Sequence, residues 1–190
     1  MFDRFDDINL DSMRVAGKLW NLDIITTSPV ESHLIDYFLA KSYVFESIFY
    51  TSSSTHTAEK DTMDIYNPLL EQYSVDLARQ AHNHNYQRTR LISYNSGDSS
   101  KPTISNQFTA NYSGQSDGIV FAKVGIGGEG FCRLESRAAF TATPFTIFEF
   151  LNIEISNGSP HTKLTGTFYH NNGDEVRDQS LLKRKYKLRS

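Results

Sequence analysis

The chain predicts an α/β fold in which a sheet gives way to antiparallel hairpins toward the C-terminus. Three observations carry this. A β-branched and aromatic run at 43–50 is followed by a helical spacing of Ile65, Leu69 and Leu70, and then by a short apolar run at 75–78. Three strand-like segments, 146–155, 162–169 and 175–182, occupy the end of the chain. Between the last two lies Asn171-Asn172-Gly173-Asp174, a strong hairpin signal.

Taken in order, residues 1–42 form an N-terminal segment with little pattern. Leu34 to Ala40 suits a short amphipathic helix, and Ser, Thr and Pro at 26–32 break anything longer. The strand at 43–50 should be buried except at Glu46 and Ser47. A polar Ser/Thr loop follows, with Thr57 as the expected helix cap and Lys60 where a capping box would carry Glu. Pro68 predicts a kink, or a break between two short helices. Val75 to Ala78 reads as a buried strand. Residues 93–118 are rich in Ser, Asn, Gly and Asp and read as a long loop with one short strand near 103–105. Residues 119–124 alternate as a strand, and the glycines from Gly125 to Gly130 turn the chain after it. No internal repeat is present. Residues 184–190 read as a basic tail.

The totals exclude several function classes. At 190 residues the chain is one ordinary domain. A formal charge of −3 gives no basic surface for nucleic acid, so no nucleic-acid partner is expected. No run of about 18 apolar residues exists to span a membrane, and the acidic start, Met-Phe-Asp-Arg-Phe-Asp-Asp, lacks the apolar core of a signal peptide. The compartment is therefore unassigned. One cysteine, Cys132, excludes an internal disulfide and is assigned to packing. Asp3, Asp6, Asp7 and Asp11 lack calcium-loop spacing and read as a solvated arm. Asp36, Glu46, Asp61 and Asp64 could supply a carboxylate pair for glycoside hydrolysis, but no spacing singles one out.

Residues 82–89, His-Asn-His-Asn-Tyr-Gln-Arg-Thr, carry the chemistry. In an extended segment His82 and His84 would project from one face and converge on a small volume. Neutral imidazole is a common ligand for zinc, iron or manganese-type ions. Arg88 is a planar fork suited to phosphate or to a structural carboxylate. An isolated His-x-His is more often a solvated loop, so the flanks decide.

Those flanks, Ala81-His82-Asn83-His84-Asn85-Tyr86-Gln87-Arg88-Thr89, resemble the Gly-His-x-His motif of the calcineurin-like metallophosphoesterases, purple-acid-phosphatase-like branch. The similarity extends over roughly residues 43–183. It takes in Phe49-Tyr50-Thr51-Ser52, the segment from Asp64 to Tyr73, Gly125-Ile126-Gly127-Gly128 and Leu164-Thr165-Gly166-Thr167-Phe168. The resemblance implies a partial metallo-dependent phosphatase fold, strand-helix-strand and then antiparallel hairpins, without the N-terminal half of the sandwich. It implies a phosphoester substrate and Fe, Zn or Mn ions. A pair of cations would acidify a water and neutralise the phosphoryl oxygens during displacement. By the same resemblance His82 binds one metal and His84 the other. His56 contacts phosphate or protonates the leaving group, and Glu46 stands where the family carries a further metal-binding histidine.

Departures from the family pattern reduce the expected activity. The Gly-Asp, second aspartate and Asn-His motifs are not found in residues 1–42, and Ala81 replaces the glycine before the first histidine. Two histidines and Glu46 cannot hold and bridge two cations, because even a single zinc normally takes three or four protein ligands. The expectation is an incomplete ligand set and reduced or lost hydrolase activity, in a fragment, a truncated product or a degenerate member. The competing expectation is a non-catalytic β-rich binding or scaffolding domain. Half of such a sheet would expose an unpaired edge, which favours self-association.

Overall fold

The computed structural model describes residues 42–45, 48–52, 55–72, 75–108, 110–113, 118–125, 130–158, 161–171 and 175–185. In chain order the described elements are β1 (Ser42–Phe45), α1 (Lys60–Gln72), β2 (Leu77–Gln80), β3 (Tyr86–Thr89), β4 (Leu91–Ser93) and β5 (Thr103–Asn106). They continue with β6 (Asn111–Ser113), β7 (Val120–Val124), β8 (Thr141–Phe145), β9 (Glu149–Gly158), β10 (His161–His170) and β11 (Val176–Lys185). The short helix expected at 34–40 and the candidate ligand Glu46 lie outside the described residues.

A central sheet in the order β1-β2-β7-β3-β8 is sandwiched between α1 and a second sheet in the order β6-β11-β10-β9. The period-two alternation of strands assigns the faces. Ala78 of β2 and Phe121 of β7 point to the helix side, where they pack with Phe49, Tyr50, Met63 and Leu70. Leu77, Val120 and Ala122 point to the other side, against Tyr112, Leu164 and Leu182 of the second sheet. Burial on both faces explains the unbroken Val120-Phe121-Ala122 run in the middle of the sheet.

Three expectations change. First, α1 is one continuous helix through Pro68, which sits on its exposed side, where water can reach the carbonyl that the missing N–H leaves. Second, the helix begins at Lys60. Glu59 rather than Thr57 occupies the cap: its carbonyl accepts from Met63 N (3.0 Å) and its carboxylate accepts from Thr62 Oγ1 (3.0 Å). Third, β6 stands inside the stretch expected as a loop, β3 and β8 stand where no strand was read, and β11 extends to Lys185, so Lys183 to Lys185 of the basic stretch belong to the sheet. The hairpins are as read: β10 pairs antiparallel with both β9 and β11.

Candidate functional site

Three loops leave the same edge of the central sheet. β1, β2 and β7 are mutually parallel, so the segments after Phe45, Gln80 and Val124 all emerge at their C-terminal ends. That edge is where ligands bind in open α/β sheets. The first segment carries His56, the second His82 and His84, and the third the glycines from Gly125 to Gly130.

Polar side chains at the ends of the strands hold these loops. Gln80 accepts from Phe49 N (2.7 Å) and donates to Tyr50 O (2.7 Å), so β2 grips the backbone that follows β1. Gln87 of β3 accepts from Ser52 N (2.6 Å). Lys123 of β7 lies on the helix side, two residues beyond Phe121, and is fully buried. Its amine donates to Thr51 Oγ1 (2.6 Å), the same oxygen that Asn83 and Gln87 reach at 3.3 Å. No carboxylate stands against this amine among the described residues, and burial pushes its pKa down to about 7, opposed weakly by Cys132.

The imidazoles do not sit as an extended segment would place them. His82 has a left-handed backbone (φ 70°), so residues 82–85 bend instead of alternating. His is among the residues that tolerate this region, at some cost in strain. His82 turns toward His56: both are exposed and their ring centroids lie 4.5 Å apart at 61°. His84 is engaged elsewhere, its Nδ1 hydrogen-bonded to Gly130 O (2.7 Å) while its own carbonyl accepts from Cys132 N (3.0 Å). Asn83, completely buried between the two histidines, donates to His56 O (3.1 Å) and ties the first loop to the second. Gly125 makes room for the bend, since a Cβ there would meet Asn83 O at 2.1 Å. Lys123, Asn83 and Gln80 are the positions that sequence reasoning missed. Lys123 had a signal, a charge at the i+2 position of the apolar face after Phe121.

Arg88 takes the carboxylate and not a ligand. It faces the second sheet from β3, with Nε 2.7 Å and Nη2 2.8 Å from the two oxygens of Asp178 on β11, and Nη1 2.7 Å from Tyr112 Oη. Tyr86 Oη donates to the same carboxylate at 2.8 Å. Burial disfavours the Arg88 charge, yet the hydrogen bonds and charge of Asp178 outweigh it and raise the pKa. Burial likewise raises the Tyr86 phenol well above its ordinary value.

A two-metal centre does not fit the described residues. His84 is oriented as metal-binding histidines commonly are, with one ring nitrogen on a backbone carbonyl. Yet no group of three or more His, Cys, Asp or Glu side chains among the described residues is placed to hold an ion.

No family model matches the sequence, and no curated protein matches it. Solved structures do match in shape. A purple acid phosphatase from yellow lupin (Lupinus luteus) seeds superposes with a TM-score of 0.60 at 18% identity, covering 84% of this chain and 29% of that one. GAP50, described as the anchor in the inner membrane complex of Plasmodium, superposes with a TM-score of 0.53 at 16% identity over 80% of this chain and 40% of its own. The chain therefore spans less than half the length of either. These likenesses show that the chain shares its fold with part of a purple acid phosphatase, and they show the fold alone.

Proposed function

We propose that this chain belongs to the metal-dependent phosphoester hydrolase lineage, matching the C-terminal part of an acid-phosphatase-like enzyme, with its hydrolytic activity reduced or lost. The observation that carries this reading is that His56, His82–His84, Gly125 and Gly130 gather at one edge of three parallel strands within a phosphatase-like fold. In that reading His82, His84 and Glu46 descend from metal ligands, and His56 from a group facing the phosphate or the leaving oxygen. Phosphomonoesters are the substrate class to try first. The ligand count is what argues for reduced activity, and no step through a metal is assigned.

The test is turnover of p-nitrophenyl phosphate with added Mn²⁺, Zn²⁺ or Fe, in the unaltered chain and in His82→Ala and His84→Ala. The expected result is slow turnover that falls further in both variants. Equal rates in all three would remove these imidazoles from the account, and turnover at ordinary enzymatic rates would overturn the claim of loss.

A second reading, a non-catalytic binding or scaffolding domain, has its own support. The GAP50 neighbour is described as an anchor. Phe131, Phe148 and Phe150 are large exposed apolar side chains, of the kind that mark contact surfaces. Tight binding of two metal ions per chain would rule against it.

A further inference from the structure

We propose that the outer edge of β9 takes up an extended, basic segment of another protein, which adds to the second sheet as a further strand. Such a partner goes beyond the two readings above and requires neither hydrolysis nor a metal.

β9 is the outermost strand of the second sheet and pairs on one side, with β10. Among the described residues nothing pairs with its other side. Alternate residues therefore turn backbone N–H and C=O groups outward, the arrangement by which a sheet recruits another strand. The other edges of the two large sheets are short or blunted. β1 and β6 have four and three residues, and β8 has five with Pro144 among them. β9 runs for ten residues, keeps register with β10 from Glu149 to Gly158 without a bulge, and contains neither Lys nor Pro. A short strand, a proline, a lysine or a bulge would close an edge, and β9 has none of them.

The side chains state what would fit. Leu151 and Ile153 face the core between the sheets. Phe150 and Glu154 therefore share the outer face, four residues apart, and both are exposed, Phe150 by 54%. Phe150 stacks on Tyr169 of β10 with centroids 5.2 Å apart, so the ring face away from Tyr169 is turned toward the open edge. Phe148 and Phe131, also exposed and 4.5 Å apart, continue this apolar surface. The charged residues of β9 are Glu149 and Glu154, with no base. Glu154 accepts from Asn152 Nδ2 at 3.0 Å and has no ion pair among the described residues.

Charge then selects the occupant. A second copy would bring only carboxylates to this edge, and like charges across a strand pair are unfavourable. A strand with Lys or Arg opposite Glu154 and an apolar residue opposite Phe150 satisfies both positions. Main-chain bonds to the edge supply the affinity, and these two side chains supply the choice of partner.

The experiment is titration of the isotope-labelled full chain with an extended Val/Thr peptide as long as β9, carrying Leu and Lys at the spacing of Phe150 and Glu154. One comparison peptide replaces Lys by Glu, and another places Pro at the two central residues. The readouts are amide resonance shifts and amide hydrogen exchange along Glu149–Gly158, with circular dichroism to confirm that Phe150→Ala and Glu154→Lys fold. We expect saturable binding of the Lys peptide with slowed exchange at alternate β9 residues, weakened about threefold by Phe150→Ala and about fivefold by Glu154→Lys. The Glu peptide should bind Glu154→Lys better than the unaltered chain. No saturable binding overturns the proposal, as do equal binding of the Lys and Glu peptides, undiminished binding of the Pro peptide, or shifts confined to other strands. So does alternate-residue protection along β9 in the free chain, the pattern of an edge already filled by this chain or by a second copy. Neither turnover nor metal binding is read, so failure here and failure of either reading above are separable.

Discussion

Replacing Lys123 by Met tests how the floor beneath the histidine loops is built. The amine is fully buried, with Thr51 Oγ1 as its close partner at 2.6 Å, and its pKa is lowered from 10.5 to about 7. The folded chain therefore binds this proton less tightly than the unfolded chain. Unfolding takes up a proton between pH 7 and 10.5, and stability climbs with pH across that window. Below pH 7 both states are protonated and the folded state carries the whole desolvation cost. Integrating the two pKa values from pH 6 to pH 9 gives a rise of roughly 2–3 kcal/mol in the unaltered chain that Lys123→Met lacks. Met matches the stem in length and carries no charge. It should be the more stable variant at pH 6, by an amount that narrows toward pH 9 as Lys123 loses its proton. Keeping below pH 9 avoids the phenols of Tyr50 and Tyr86, whose raised pKa values act in the opposite direction above pH 10. The assay is urea unfolding at half-unit steps of pH for both proteins. Parallel stability curves would refute the reasoning, because they would mean that Lys123 titrates alike in both states and is not desolvated.

Asp178→Ala should cost about 3–5 kcal/mol, because it strands the Arg88 guanidinium between the two sheets; chemical denaturation measures it, and a loss under 1 kcal/mol would show that the pair is hydrated. Gly125→Ala should lower the melting temperature and disturb the His82 and His84 imidazole resonances together, since a Cβ collides with the Asn83 carbonyl; unchanged spectra would mean that the loop moves freely. Asn83→Ala should cost about 1 kcal/mol by removing the amide's bond to His56 O, while Thr51 Oγ1 keeps Lys123 and Gln87, and should separate His56 from His82 as read by the loss of contacts between their ring protons.

What could be read along the chain was whatever depends on neighbours. The helix over Lys60–Gln72, the buried strand ending at Val124 and the β9–β10–β11 hairpins follow from periodicity and turn residues over a few positions. β8 escaped because Thr141-Ala142-Thr143-Pro144-Phe145 is short, polar and contains proline, a composition tolerated at the sheet edge where it sits. β3 escaped because Gln87 and Arg88 look like surface residues. They are buried only because Ser52 and Asp178 meet them from distant segments. Lys123 stood on an apolar face in the sequence, but nothing local shows that it would be left without a carboxylate.

The amino-acid order alone determined that two imidazoles, an arginine and a glycine-rich turn would flank short strands, and that the chain would close in antiparallel hairpins. Which groups meet was decided by the tertiary structure. Parallel pairing of β1 with β2 delivers the loops after them to one edge, so His82 faces His56 from a distant loop and not His84 two residues away. The left-handed turn at His82 removes the alternation that would have paired the near neighbours. A backbone dihedral and a strand register are set by packing across the whole sheet, and spacing along the chain carries neither.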